Sequence, residues 1–320
     1  MSECYPLINI DIVNTCNLHC VTCPRGRREE INTVDKMSLD LFGMIIKKAS
    51  TYNDRSVNLY NWSEPFLCDD LHAYIDIADK YGLEAYVSTN LSLRGIKEKL
   101  KKVLYTGKGY MVASVSGFSQ KMHQINHRGG DISIVKDNLR FISDCYRRKA
   151  FEWGVAVKFL DFGYNSHEIA PFKTWSETLP GIGFSMIPGE GEPLKAIPEN
   201  HQDDAAFHSG AAAAARYLGD FSGSFLRLNK ICDLFFDMNI DCKGDVFLCC
   251  IVPNNTLFKL GSFLDDSIDK ILIRRFLHPF CQVCPGQNVF KGFPKNRDIP
   301  VSLRQKLALM FSDYEEGLIL

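Results

Sequence analysis

Short apolar stretches alternate with amphipathic stretches from residue 7 to about residue 188. The apolar runs predict strands at residues 7–13, 56–60, 84–88, 110–115, 155–160 and 183–187. The amphipathic stretches predict helices at residues 39–49, 69–81, 96–104, 132–147 and 170–176. Ser38 is a suitable N-cap for the first helix, and Gly82 is a suitable stop for the second. This alternation is typical of parallel strands joined by crossover helices, here six units of an α/β, partial, TIM-like (β/α)6 barrel.

A cysteine-rich loop follows the first predicted strand and carries Cys16, Cys20 and Cys23. Three thiolates on such a short loop can bind three irons of a four-iron cluster and leave the fourth iron open. One alternative is a zinc site, for which His19 is the nearest fourth ligand, and the other is three unrelated buried thiols. The cysteine spacing, read together with the preceding strand, favours the iron-sulfur cluster.

The loop resembles the signature of the radical S-adenosylmethionine (radical SAM) superfamily, Cys-x3-Cys-x2-Cys after the first barrel strand. The resemblance implies that SAM binds the open iron of a [4Fe–4S] cluster through its amine and carboxylate. It also implies one-electron cleavage of SAM to a 5′-deoxyadenosyl radical, with an external reductant such as flavodoxin or ferredoxin.

Residues at the later strand ends extend the resemblance. The segment Trp62-Ser63-Glu64-Pro65 resembles the family's Gly-Gly-Glu-Pro segment beside the SAM amine, although both glycines are replaced. The alternative for Glu64 is a favourable charge at a helix start. By resemblance, Ser114 and Arg128 bind the SAM carboxylate, unless Arg128 is simply exposed. Further predicted SAM contacts, which could instead cap helices, reach solvent or fill the core, are Ser88, Asn90, Ser116, Lys158 and Ile187.

Composition narrows the class of protein. With 320 residues and 46% hydrophobic content, the chain can bury a full core. A net charge of -1 provides no field that would attract nucleic acid. We find no apolar run long enough to span a membrane and no export signal, which predicts a cytoplasmic protein without a membrane partner. Twelve cysteines in such a protein indicate metal sites or reactive thiols rather than a disulfide framework.

A second group of cysteines lies near the carboxyl end. Lys243-Gly244-Asp245 predicts a hairpin that brings Cys232 and Cys249 together, and Cys281-x2-Cys284 supplies two more thiols. Four thiolates can hold either a cluster or zinc. The arrangement resembles the SPASM/twitch module that follows radical SAM barrels. Because no cysteine follows Cys284, the resemblance implies the shorter twitch version with one auxiliary [4Fe–4S] cluster. Cys242 and Cys250 remain as buried thiols without a predicted role.

These patterns divide the chain into four parts. We predict the barrel at residues 1–188, a Pro- and Gly-rich linker with a short Ala-rich helix at 189–224, the auxiliary-cluster domain of a β-hairpin plus a helix at 225–290, and a helical tail at 291–320.

Three hypotheses for function follow. A layout similar to that of 2-deoxy-scyllo-inosamine dehydrogenase implies remodelling of a carbohydrate, aminocyclitol or nucleoside-type small molecule. Modification of a ribosomally made peptide is the alternative, although many such enzymes carry an N-terminal recognition domain and few residues precede the first strand here. An iron-sulfur electron carrier or a zinc protein is the non-enzyme hypothesis. If the reaction re-forms a C–H bond, Cys68 is the predicted hydrogen donor, with a buried helix thiol as the alternative.

Overall fold

The computed structural model describes residues 7–23, 25–26, 35–53, 55–189, 234–250 and 256–278. One nine-stranded sheet organises them, in the order β6-β5-β4-β3-β2-β1-β7-β8-β9. Strands β1 to β6 are parallel throughout. The strands are β1 (Ile8–Ile10), β2 (Ser56–Asn58), β3 (Glu84–Thr89), β4 (Gly109–Val115), β5 (Gly154–Asp161), β6 (Ile182–Pro188), β7 (Met238–Ile240), β8 (Asp245–Phe247) and β9 (Lys259–Ser262).

Helices connect the parallel strands in the predicted alternating order, which confirms the partial-barrel fold class. They are α1 (Leu39–Ala49), α2 (Leu71–Lys80), α3 (Lys97–Leu104), α4 (Gln120–Asn126), α5 (Ile132–Arg148), α6 (Ile169–Ser176) and α7 (Ile268–Leu277). The predicted N-cap is confirmed, because Ser38 Oγ accepts a hydrogen bond from the Leu41 amide at 3.1 Å. Gly82 ends α2 with a φ of 74°, a conformation that glycine adopts without strain.

The helix α4 was not predicted from the sequence. Its buried residues are His123 and Asn126, so the helix has no apolar stripe for a periodicity argument to detect.

The apolar residues of the other elements alternate with polar ones as predicted. Ile8 and Ile10 of β1 are buried in one core with Phe42 and Ile45 of α1. Asn9 lies between Ile8 and Ile10 in the strand and therefore faces the opposite side of the sheet.

The predicted C-terminal hairpin is confirmed, since β7 and β8 are antiparallel and Gly244 has a φ of 84° in the turn. Its placement was not predicted. Strand β7 pairs parallel with β1, with Asn9 opposite Asn239, so the hairpin continues the barrel sheet. Pairing between segments 230 residues apart leaves no local sequence signal.

Two cations attach the C-terminal strands and α7 to the rest of the fold. The buried Arg275 guanidinium donates to the carbonyls of Phe235 and Phe247. The Lys48 ammonium, at the end of α1, donates to the carbonyls of Phe263 and Asp266 at 2.5 and 2.6 Å. Charged donors are the strongest hydrogen-bond donors available to these carbonyls.

Some predicted features lie outside the described residues. These are the linker helix, the C-terminal tail, and Cys232, Cys281 and Cys284. Within the part of the chain that the structure describes, no helix has both the length and the apolar character needed to cross a membrane.

Candidate metal centre and active site

The loop after β1 carries the three predicted cluster ligands, Cys16, Cys20 and Cys23, all half-buried. Burial raises the pKa of Cys16 to about 12 and raises the pKa of Cys23 as well. The pKa of Cys20 lies well above its usual range, first because of burial and then because of the neighbouring Cys23 and Cys16. If the cysteines were ionised, their thiolates would repel one another. A bound cation would relieve that repulsion, so the loop is electrostatically suited to a metal centre.

The backbone around these thiols is held by the loop that follows β4. The His19 amide donates to the Arg128 carbonyl at 2.9 Å, and the Val21 amide donates to the Asn126 carbonyl at 3.1 Å. The Thr22 hydroxyl also donates to Asn126 Oδ1, at 2.8 Å. Gly26 approaches so closely that a Cβ there would lie 2.4 Å from the Cys20 amide nitrogen. The loop conformation is thus fixed by its neighbours and not by its own sequence alone.

The loop offers three thiols as the donor set for a metal centre. Among the described residues, no three His, Cys, Asp or Glu side chains converge as they would on a single metal ion. Each thiolate of a four-iron cluster binds a different iron, so its ligands are spaced more widely than those of one zinc ion. Three thiols are the donor type and number that a cluster with one open iron takes.

Arg25 places a positive charge beside the same loop, a role that the residue pattern alone does not indicate. Burial lowers its pKa, while Asp11, Cys16 and Cys23 oppose that shift. One guanidinium nitrogen, Nη2, is buried without a hydrogen-bond partner in the described part of the chain. A cation here would stabilise the negative charge of coordinated thiolates.

Glu64 is completely buried at the end of β2, as the predicted polar anchor of its turn. Its carboxylate accepts hydrogen bonds from the Thr89 hydroxyl at 2.7 Å, the Asn90 amide at 2.8 Å and the Phe66 amide at 3.1 Å. Burial raises the pKa of Glu64 to about 7 despite these donors. The residue therefore braces the turn after β2 against the end of β3.

Asp11 organises the preceding turn, a role that the sequence did not reveal. Its Oδ1 accepts from the amides of Asn61, Trp62 and Ser63 at 2.9 to 3.0 Å. All three N–H groups point at Asp11, which keeps the turn ordered. The turn is ordered even though Trp62 and Ser63 stand where the segment that it resembles has two glycines. In the sequence, the one sign of this role is a charged residue directly after the apolar strand β1.

The face of β3 to β6 that carries Ser88 also carries further predicted SAM contacts. Ser114 of β4 lies in register with Lys158 of β5, and both are half-buried. Ile187 of β6 is 41% exposed, and Ser88 of β3 is half-buried. The structure therefore places these side chains on neighbouring strands, where a ligand can reach them.

Two predicted contacts after β4 differ in accessibility. Ser116 is fully buried, with its hydroxyl 2.6 Å from His127 Nδ1 and 3.1 Å from the His123 carbonyl. Burial holds the pKa of His127 well below its usual range, so this imidazole is neutral. Arg128 is half-buried, and its carbonyl holds the cysteine loop. Arg128 thus remains available to a ligand, whereas Ser116 is engaged within the protein.

Known proteins resemble the chain in part of its sequence and in its fold. No family model matches the chain. A curated relative, the 7,8-dihydro-6-hydroxymethylpterin dimethyltransferase of Methanocaldococcus jannaschii, is 24% identical over 189 residues, or 57% of this chain and 36% of that protein. The chain thus spans about a third of the length of the curated relative that it matches.

Solved structures match over more of the chain. The structure of anSMEcpe with bound AdoMet (SAM) has a TM-score of 0.54 at 13% identity and covers 98% of both chains. Streptococcus suis SuiB bound to S-adenosylmethionine has a TM-score of 0.55 at 13% identity, over 83% of this chain and 65% of that one. Both are radical SAM enzymes. The chain has the radical SAM fold.

In this radical SAM fold, Cys68 does not join the other predicted site residues. It is 1% exposed and hydrogen bonded to Tyr74 of α2, in the apolar core that includes α1 and α2. Burial raises its pKa. This placement favours the buried helix thiol, the alternative considered from the sequence.

The described part of the auxiliary-cluster region contains one of its four predicted ligands. Cys249 follows β8 and is half-buried, as is the adjacent Cys250. Cys242 lies in the hairpin turn, where burial raises its pKa to about 11. The auxiliary cluster, with Cys249 as one of its four ligands, therefore stays a prediction.

Proposed function

We propose that this protein is a radical SAM enzyme that binds a [4Fe–4S] cluster and SAM and removes a hydrogen atom from its substrate. The observation that carries the proposal is the loop after β1 of a radical SAM fold, where Cys16 and Cys23 lie near enough to Cys20 to raise the pKa of its thiol. When bound, the cluster and SAM supply a 5′-deoxyadenosyl radical.

The residues of this chain bind and orient those groups. Cys16, Cys20 and Cys23 each hold one iron. Ser114 and Arg128 bind the SAM carboxylate, Lys158 and Ser88 contact the polar parts of SAM, and Ile187 lies against the adenine. Glu64 holds the turn that faces the SAM amine, an arrangement supported by its hydrogen bonds from Phe66 of that turn and from Thr89 and Asn90 at the end of β3.

The proposal includes one auxiliary [4Fe–4S] cluster with ligands Cys232, Cys249, Cys281 and Cys284. Held by these cysteines, the cluster would supply an acceptor for the electron that remains on the substrate radical after hydrogen abstraction, and an external protein such as flavodoxin or ferredoxin would supply the separate electron that cleaves SAM. Continuity of β7 and β8 with the barrel sheet supports the role, because it ties the strand before Cys249 to β1, which precedes the cysteine loop.

We infer that the substrate is a polar small molecule of the carbohydrate, aminocyclitol or nucleoside type. Three amides form a ladder across β2, β1 and β7: Asn58 donates to Asn9 at 2.6 Å, and Asn9 donates to Asn239 at 2.8 Å. Asn239 Nδ2 is buried without a partner among the described residues. Such an amide face suits a ligand rich in hydroxyl or amino groups.

A peptide substrate is the second candidate. It is favoured by two solved structures of similar fold: Streptococcus suis SuiB bound to the precursor peptide SuiA, with a TM-score of 0.55, and anSMEcpe with AdoMet and the Cp18Cys peptide, with a TM-score of 0.52.

Anaerobic reconstitution tests the radical SAM activity. We expect the electron paramagnetic resonance (EPR) signal of the reduced cluster to change when SAM is added, and 5′-deoxyadenosine to form with a chemical reductant. Cys20→Ala should lose both, whereas Cys145→Ala, which alters a buried thiol of α5, should retain both. A reduced cluster whose signal ignores SAM would support the electron-carrier hypothesis instead.

A second assay separates the substrate classes. The rate of 5′-deoxyadenosine formation would be measured after addition of a desalted small-metabolite fraction or of a peptide fraction from the same cells. Stimulation by the metabolite fraction alone supports a small-molecule substrate. Stimulation by the peptide fraction alone contradicts it and supports peptide modification.

A further inference from the structure

The side chain of Asn90 is oriented toward a cluster ligand. Its Oδ1 accepts a hydrogen bond from the Ser92 amide at 2.8 Å, which leaves the NH2 group facing the cysteine loop. Asn90 Nδ2 donates to Asn17 Oδ1 at 2.9 Å and contacts Cys16 Sγ at 3.7 Å. The longer separation from Cys16 reflects the larger radius of sulfur. Every polar atom of the amide is thus engaged within the protein.

A strained turn maintains this orientation. Leu91 has a φ of 51° and is the one non-glycine residue with positive φ in the described part of the chain. Leucine adopts this conformation only when its surroundings enforce it. Asn138 of α5 does so, because its Nδ2 donates to the carbonyls of Leu91 and Leu93 at 2.9 and 3.0 Å. The strained residue allows the Ser92 amide to turn back onto Asn90.

The Cys16 sulfur has a second donor of a different kind. The Leu18 amide lies 3.5 Å from Cys16 Sγ, and this backbone group is present whatever the side chain. Asn90 therefore contributes the donor that depends on residue identity. Its backbone amide is in turn fixed by the buried Glu64 carboxylate at 2.8 Å, so a rigid connection runs from β2 through β3 to the sulfur.

We propose that Asn90 is a positioning residue that adjusts the reduction potential of the SAM-binding cluster by donating an N–H···S hydrogen bond to the Cys16 thiolate. This inference rests on the proposed function, since it requires a cluster on Cys16. Reduction adds one negative charge to the cluster and its sulfurs. A hydrogen-bond donor stabilises that charge and makes the potential less negative. The role differs from the direct SAM contact expected from the strand-end position of Asn90.

Redox titration of the reconstituted full chain tests the proposal, with the SAM-responsive EPR signal as the readout. Asn90→Ala should lower the equilibrium constant for reduction of the cluster about tenfold. For a one-electron couple this makes the reduction potential about 59 mV more negative. Asn90→Asp should shift the potential further in the same direction, because it adds a negative charge. The matched control is Asn165→Ala, which removes another buried amide whose Nδ2 donates to backbone carbonyls at the ends of β4 and β5.

A measurement on the wild-type chain covers the case in which the variants lose the cluster. Pulsed EPR of protein labelled with 15N-asparagine should detect an asparagine nitrogen coupled to the reduced cluster, and absence of this coupling would overturn the proposal. Unchanged potentials in both Asn90 variants, with SAM binding intact, would also overturn it. So would weakened SAM binding at an unchanged potential, which indicates a SAM contact. Failure of the wild-type signal to respond to SAM would instead refute the proposed function.

Discussion

Lys48 provides the sharpest test of how the C-terminal strands are attached to the barrel. Lys47 and Lys48 are adjacent in the last turn of α1, so both interact with the helix dipole to a similar extent. Lys47 is exposed, whereas the Lys48 ammonium donates to the carbonyls of Phe263 and Asp266 and lies 5.2 Å from the centre of the Phe263 ring. Lys48→Met and Lys47→Met therefore differ mainly in the loss of these contacts.

The expected cost of Lys48→Met is about 3 kcal/mol in the free energy of unfolding. Each hydrogen bond from a charged donor contributes about 1.5–3 kcal/mol, and two short ones are lost. The cation–π contact adds about 0.5–1 kcal/mol. Removing a partly buried charge offsets part of this loss, since burial lowers the pKa of Lys48. For Lys47→Met we expect a change within about 0.5 kcal/mol.

Urea denaturation followed by circular dichroism would measure both free energies. Amide hydrogen exchange would locate the effect, and residues 259–266 should exchange faster in Lys48→Met alone. Equal unfolding free energies for the two variants would refute the argument, because they would show that the Lys48 contacts contribute nothing to docking of the C-terminal strands.

Three further predictions concern the site and its supports. Because burial raises the pKa of Glu64 from 4.5 to about 7, the folded state binds this proton more tightly, and stability should fall by about 3 kcal/mol as pH rises through that window. Glu64→Gln should reduce this pH dependence in urea titrations, and an unchanged slope would contradict the assignment. Gly26→Ala should lower the iron content of the reconstituted protein, while Gly43→Ala, with open space around its Cβ, should retain iron and gain about 0.5–1 kcal/mol. Arg275→Met should cost about 3 kcal/mol, because it leaves buried carbonyls without their donor, and an unchanged melting temperature would count against that role.

Local sequence patterns were sufficient for the parallel part of the fold. The strands β1 to β6 and five of the helices between them follow from apolar periodicity, since burial of one face imposes a fixed repeat on each element. The helix α4 was not predicted because its buried side chains, His123 and Asn126, are polar; Asn126 accepts a hydrogen bond from the distant Thr22, and His123 Nδ1 accepts one from the Ser116 amide. Periodicity cannot report a helix whose inner face is not apolar.

The spacing of Cys16, Cys20 and Cys23 was enough to predict a metal centre from the sequence, because ligands on one short loop are neighbours in any fold. The supports of that loop required the tertiary structure. The Asp11 carboxylate binds amides about fifty residues away, and Asn90 contacts Cys16 across 74 residues. The pairing of β7 with β1 joins segments 230 residues apart. Such contacts depend on where the chain returns in space, and the spacing of residues along the chain does not determine that.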